Sequence, residues 1–214
     1  MRETVIRRIL DEKVIAIIRG HYDKECLNIA KALHEGGVNL LEVTFDQKSQ
    51  DARLRTVDTL RLLNQELGNK MTFGAGTVTT VEMVQMAKDG GAQFIISPDT
   101  DYAVIKATVE AGLVSIPGAL TPTEIKQAYA YGADIVKVFP ASDMGVSYLA
   151  AITAPLNHIR ILAVGGVNGK NVRNFLAAGA IGVGVASCLF KKEWIKAGEW
   201  NRITEASKAF VSLL

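Results

Sequence analysis

The segment Ile135-Val136-Lys137-Val138-Phe139-Pro140 sets a lysine inside a run of β-branched and aromatic residues, the composition of a buried strand. A bare ammonium is costly there. Desolvation disfavours the charged form, so part of Lys137 becomes a neutral amine able to attack a carbonyl and form a Schiff base. A structural lysine, snorkelling to the surface or paired with a carboxylate, fits the same local pattern. What the rest of the chain brings to Lys137 decides between the two readings.

Glu42, within Leu40-Leu41-Glu42-Val43-Thr44-Phe45, is a second charge in a β-rich apolar setting and needs a partner or a task. Gly74-Ala75-Gly76-Thr77 is a path of small residues ending in a hydroxyl, and Arg19 closes another apolar run with a cation suited to an anionic group. Gly165-Gly166 and Gly182-Val183-Gly184-Val185-Ala186-Ser187 form a further pattern, in which small residues let backbone N–H groups approach phosphate oxygens. Singly, each has a plain structural explanation. Glu42 can pair with Lys137, Arg19 can decorate a rim, Thr77 can cap the following helix, and paired glycines can simply turn the chain.

The elements that would position these residues follow one recurring design: a helical pattern, a glycine-containing stop and a short apolar run. His34-Glu35-Gly36-Gly37, Asp89-Gly90-Gly91, Ala111-Gly112, Tyr131-Gly132 and Ala178-Gly179 each precede such a run. The expected strands are Val14 to Arg19, Leu40 to Phe45, Thr72 to Val78, Phe94 to Pro98, Val114 to Ala119, Ile135 to Pro140, Arg160 to Gly166 and Gly182 to Ser187, eight in all. They are apolar on both faces, as parallel strands covered by helices are. Eight βα units in one α/β domain spanning residues 1–214 imply a (β/α)8 TIM barrel, with the segment around Val5, Ile6, Ile9 and Leu10 as an extra N-terminal helix plugging its lower end. A doubly wound open sheet is the alternative, but Arg19-Gly20-His21 lacks the glycine fingerprint of a dinucleotide fold after the first strand. In a barrel, the carboxyl ends of the strands converge on one mouth. The loops after the last two strands are a common phosphate site.

Composition narrows the partners. A net charge of +2, with basic residues scattered along the 214-residue chain, gives no electrostatic footprint for nucleic acid or an anionic membrane. No stretch has the uncharged length of a membrane helix, and the amino terminus carries no continuous apolar segment. Cys26 and Cys188 stand alone, which fits a reducing compartment, and a cytoplasmic protein acting on a small molecule is expected. His21, His34 and His158 have no ligand spacing, so no metal is expected.

The ordered set Ile17-Ile18-Arg19-Gly20, Leu41-Glu42-Val43-Thr44, Gly74-Ala75-Gly76-Thr77-Val78, Ile96-Ser97-Pro98, Ile116-Pro117-Gly118, Lys137-Val138-Phe139-Pro140-Ala141 and Gly165-Gly166-Val167 spans nearly the whole chain. It resembles the class I aldolases that cleave 2-keto-3-deoxy-6-phosphogluconate (KDPG) and 4-hydroxy-2-oxoglutarate (KHG). The resemblance implies a metal-independent, cofactor-free Schiff-base lyase that usually forms homotrimers. By it, Lys137 would form the imine, Glu42 would move protons, and Thr77 would contact the pyruvyl carboxylate. Gly165, Gly166 and Ser187 would belong to the phosphate site, with Arg19, Pro98 and Phe139 among the substrate contacts.

Two positions depart from the family pattern. Asp46 stands where many gluconate-specific members carry a carboxylate-clamping arginine, and Ala163-Val164 replaces a frequent Pro-Thr, closer to the related 2-keto-3-deoxy-6-phosphogalactonate aldolases. Two other classes remain open on the residues alone. A phosphate-binding isomerase or synthase would need Glu42 and the glycines but no imine, and a noncatalytic phosphometabolite-binding protein would leave Lys137 charged and paired.

Overall fold

The computed structural model describes residues 2–214. Its elements run α1 (Arg2–Glu12), β1 (Val14–Ile18), α2 (Asp23–Glu35), β2 (Leu40–Thr44), α3 (Gln50–Leu67), β3 (Thr72–Gly76), α4 (Val81–Asp89) and β4 (Phe94–Ile96). They continue as α5 (Tyr102–Glu110), β5 (Val114–Ile116), β6 (Gly118–Ala119), α6 (Pro122–Ala130), β7 (Val136–Val138), α7 (Ala141–Met144) and α8 (Val146–Thr153). The chain ends with β8 (Ile161–Val164), α9 (Val172–Ala177), β9 (Gly182–Val185), α10 (Lys192–Ala197) and α11 (Trp200–Val211). At Gly37, Gly91, Gly112, Gly132 and Gly179 the chain turns from helix to strand with φ between 78° and 101°, a region closed to most side chains.

All strand pairings are parallel, in the order β5-β4-β3-β2-β1-β9-β8-β7-β6. The expected fifth strand, Val114 to Ala119, is two pieces with Pro117 between them. Proline has no N–H to give the ladder, so the strand breaks there. The ring closes across the break. β5 pairs with β4 and β6 with β7, while the N–H groups of Asp134 and Ile135 donate to the Ser115 carbonyl at 3.0 and 3.3 Å and that of Lys137 to the Pro117 carbonyl at 2.8 Å. The architecture is the expected eight-staved barrel with one stave in two pieces.

Alternation along the staves divides the apolar residues between two cores. Val14, Ala16, Ile18, Leu41, Val43, Phe73, Ala75, Val136, Val138, Ile161 and Ala163 face the surrounding helices in one buried cluster. Ile15, Leu40, Phe94, Ile96, Val114, Ile116, Ile135, Leu162 and Val164 fill the barrel interior in the other, joined by Val5, Ile6 and Ile9 of α1. The N-terminal helix is therefore the plug that the sequence implied. Burying each of its Val and Ile side chains contributes about 1.5–3 kcal/mol.

The interior is filled by pairing bulk with absence of bulk. Gly74 lies between Glu42 and Phe94 in register, and a Cβ on Gly74 would fall 2.2 Å from the Phe94 ring. At the next layer a Cβ on Gly76 would fall 1.5 Å from Glu42 Oε1. The glycines of β3 thus leave the room that an aromatic ring and a carboxyl group occupy.

Several strands end earlier than expected. Arg19, Thr77, Pro98, Phe139, Gly165, Gly166 and Ser187 lie past the strand ends, at the start of the loops, with Phe139 still donating its N–H to the Ala119 carbonyl at 3.2 Å. Thr77 has φ 57°, Gly165 98° and Gly166 72°, conformations that cannot continue a strand. Leaving the sheet is what places these residues on the rim.

Substituting Gly74→Ala forces a methyl into the Phe94 ring and is expected to cost about 1–3 kcal/mol in thermal or denaturant unfolding, with partial recovery in Gly74→Ala/Phe94→Leu. An undiminished melting temperature in the single variant would refute this account of the interior.

Candidate active site

Strand alternation, rather than any feature of the individual residues, puts the two charged side chains inside. Leu41 and Val43 belong to the outer cluster and Leu40 to the inner one, so Glu42 and Thr44 of β2 face inward. Val136 and Val138 are outer and Ile135 inner, so Lys137 of β7 faces inward as well. Glu42 is 3% exposed and Lys137 8%. β2 and β7 are separated by β1, β9 and β8 along the wall, so the carboxyl and the amine approach from different sides of one space.

Burial dominates both ionisations. It pushes the Glu42 carboxyl up to about 7, against the opposing pull of Lys137 and Arg19. It holds the Lys137 ammonium below its usual range, with Arg19 acting in the same direction and Glu42 and Asp99 opposing it. Glu42 Oε2 is buried without a hydrogen-bond partner among the described residues, as is Thr44 Oγ1 on the same inner face. Two unsatisfied oxygens in one place are unusual in a finished core, where buried polar groups are paired. Lys137 Nζ lies 4.7 Å from the centroid of the Phe139 ring, a cation–π contact when protonated and an apolar wall when neutral. Such a lysine can supply an unprotonated amine, and such an acid can gain and lose a proton near neutrality.

The rim is assembled from the ends of the other strands. Arg19, after β1, donates from Nη2 to Thr77 Oγ1, after β3, at 3.0 Å, a bond that spans the top of the intervening β2. Thr77 is β-branched and left-handed, a conformation costing on the order of 1–3 kcal/mol that surrounding contacts must hold. Gln47 supplies one of those contacts, donating from Nε2 to the Thr77 carbonyl at 2.7 Å. Pro98 and Phe139 are exposed at the ends of β4 and β7.

Gly165 and Gly166 follow β8. A Cβ on Gly165 would come within 3.1 Å of Pro140 Cα, and one on Gly166 within 2.4 Å of Ser142 Cβ, so the loop can lie this close to α7 only without side chains. The Gly165 carbonyl accepts from Ser142 N at 2.9 Å, and Asn168 and Asn171 both donate side-chain amides to the Gly166 carbonyl at 3.1 Å. Ser187, after β9, shares with Ile17, Arg19 and Phe190 the lining of a cavity of about 700 Å³. Another cavity, of about 500 Å³ beside Thr153, His158 and Arg160, opens at the amino ends of β8 and β9, away from all of these groups.

All nine candidate residues therefore lie on the inner wall or the carboxyl-end rim. Lys137, Glu42 and Arg19 are coupled electrostatically, and Arg19 and Thr77 are hydrogen-bonded. Pro98 shares the rim through its place after β4. Sequence reading passed over Thr44, Gln47 and Asp99. Thr44 was discoverable, standing two residues after Glu42 on the same strand face, whereas Gln47 and Asp99 lie in loops whose periodicity carries no signal.

The chain matches the family described as "Aldolase: KDPG and KHG aldolase" over residues 5–206. It is 34% identical over 200 residues to a 2-dehydro-3-deoxy-phosphogluconate aldolase of Dickeya dadantii, covering 93% of this chain and 91% of that one. It is 32% identical over 179 residues to the 2-dehydro-3-deoxy-6-phosphogalactonate aldolase of Escherichia coli, covering 83% and 84%. The fold superposes on a KDPG aldolase from Legionella pneumophila, solved with pyruvate captured as a covalent carbinolamine, with a TM-score of 0.85, 28% identity and coverage of 98% of both chains. With its barrel, its inward lysine and acid, and a family match over nearly its whole length, this chain belongs to the KDPG and KHG aldolases and is a class I aldolase, a carbon–carbon lyase.

Proposed function

We propose that Lys137 forms the imine and Glu42 moves the protons in an aldol cleavage of KDPG to pyruvate and glyceraldehyde 3-phosphate, and of KHG to pyruvate and glyoxylate. One observation carries the assignment: a lysine and an acid, each nearly inaccessible, face one barrel interior, with Glu42 Oε2 left unpartnered.

The neutral amine of Lys137 attacks the C2 carbonyl, and the carbinolamine loses water to give a protonated imine. Glu42 removes the C4 hydroxyl proton. The C3–C4 electron pair moves into the imine as an enamine while the aldehyde departs, C3 is then protonated, and water returns pyruvate and the free amine. Thr77 and Arg19 offer donors to the substrate carboxylate at the rim, and Pro98 and Phe139 give it apolar walls, Phe139 already lying against Nζ. The Gly165-Gly166 turn and Ser187 are where the phosphate is taken, binding energy remote from the reacting bond. Both C4 epimers would yield the same products, and Ala163-Val164 in β8 supports the galactonate substrate as the second reading. The homotrimer implied by family resemblance and the cytoplasmic setting expected from the sequence belong to this proposal.

Incubation with pyruvate and sodium borohydride should leave a stable adduct that peptide mass spectrometry places on Lys137, with none in folded Lys137→Ala. A folded parent that traps nothing would favour an isomerase, a synthase or a noncatalytic barrel. A substrate panel including both epimers and KHG then ranks the acids.

Glu42→Gln is expected to keep trapping pyruvate while turnover falls by about 10²–10⁴. Because burial raises the carboxyl to about 7, kcat/KM of the parent should decline as pH drops below that value, and the acidic limb should vanish in Glu42→Gln. An unchanged limb would assign the proton transfer elsewhere.

The same shift bears on stability. A carboxyl raised from 4.5 to about 7 binds more protons folded than unfolded between those values. Its contribution is fully present below about 4.5 and lost as pH rises through about 7. The melting temperature of Glu42→Gln relative to the parent should therefore be higher at pH 8 than at pH 5. A difference that stays flat would show that ionised Glu42 is not penalised by burial.

A further inference from the structure

Asp46 stands where a carboxylate clamp is usual in the family, and it cannot hold an anion. Its side chain is occupied within its own turn: Oδ1 accepts the Lys48 N–H at 2.9 Å, an Asx turn that fixes the chain between β2 and α3. The residue between them, Gln47, donates from Nε2 to the Thr77 carbonyl at 2.7 Å, and its Oε1 accepts from Thr79 Oγ1 at 3.5 Å. The loop after β2 is thereby tied to the left-handed residue after β3 and to the segment that follows it.

The tie sets where a proton points. Arg19 has only donors, so in its 3.0 Å bond the Thr77 oxygen must accept and the hydroxyl hydrogen is free to be given to another group. Thr77 O–H and the remaining Arg19 N–H groups then present adjacent donors on the rim above Glu42, matching the two oxygens of a carboxylate. Thr77 keeps this aim only while its backbone stays at φ 57°, which a β-branched residue does not prefer.

We infer that Asp46 and Gln47 are positioning residues: Asp46 sets the turn from which Gln47 clamps the Thr77 carbonyl, holding the Thr77 hydroxyl and Arg19 toward the carboxylate of a 2-keto acid. The inference rests on the proposed imine chemistry at Lys137 and on the rim as the carboxylate site. In place of an arginine at position 46, two residues of the loop after β2 fix donors on neighbouring loops that they do not themselves supply.

The test is borohydride trapping titrated with pyruvate and, in parallel, with methyl pyruvate, which keeps the ketone but carries no carboxylate. Gln47→Ala is expected to raise the half-saturating pyruvate concentration roughly tenfold, the equivalent of about 1.4 kcal/mol, with methyl pyruvate little changed. Gln47→Lys, which retains a donor, and Asp46→Asn, which retains the accepting Oδ1, should restore pyruvate binding, whereas Asp46→Ala should not. Equal loss for both ketones would mean general loosening of the site and would overturn the inference, as would an unaltered pyruvate titration in Gln47→Ala. If the parent itself forms no adduct on Lys137, the imine chemistry falls and this inference with it. If the parent forms one and Gln47→Ala matches it, only the positioning role is lost.

Discussion

Burying two opposite charges on separate walls of an apolar barrel is the constraint on which the rest of the molecule depends. An ammonium and a carboxylate taken out of water each carry a penalty of several kcal/mol, and close pairing would have removed the reactivity of both. Here Lys137 faces the Phe139 ring and Glu42 keeps an oxygen unpartnered, so the penalty appears as shifted ionisation. The amine is driven toward its neutral form and the acid toward the middle of the pH scale. Each is the form that carbonyl attack and proton shuttling require.

The surrounding structure makes that arrangement tolerable. Helix α1 closes the lower end by packing Val5, Ile6 and Ile9 into the inner cluster. Gly74 and Gly76 withhold side chains where Phe94 and the Glu42 carboxyl need the volume. A side chain at Gly76 would push the acid off its position, so the placement of Glu42 depends on side chains that are missing as much as on those present. Pro117 breaks the fifth stave without opening the wall, because the Ser115 and Pro117 carbonyls continue the ladder to the next stave.

The rim obeys a different logic from the interior. Its residues lie past the strand ends, and Thr77, Gly165 and Gly166 adopt conformations that a ladder excludes. Thr77 and Arg19 hold each other, Gln47 holds Thr77, and the Gly165-Gly166 turn is pinned by Ser142, Asn168 and Asn171. Precision at the mouth comes from such ties between adjacent loops, whereas precision at Lys137 and Glu42 comes from the strands themselves.

The amino-acid sequence by itself determined the βα alternation, the count of eight staves, the helical plug and the candidacy of Lys137 and Glu42, because a charge inside a β-rich apolar run is conspicuous without coordinates. It also determined that Asp46 could not clamp a carboxylate, since that follows from charge alone. The tertiary structure decided which face each charge occupies. In runs apolar on both sides, local periodicity cannot separate the barrel interior from the helix-facing surface, and only packing into the two clusters did so. It decided, too, that Arg19, Thr77, Pro98, Phe139, Gly165, Gly166 and Ser187 lie past the strand ends, and that Gln47 reaches Thr77 across a neighbouring loop. Hydrogen bonds between loops thirty residues apart leave no periodic trace in the chain, so they become legible only when the barrel brings the loops together.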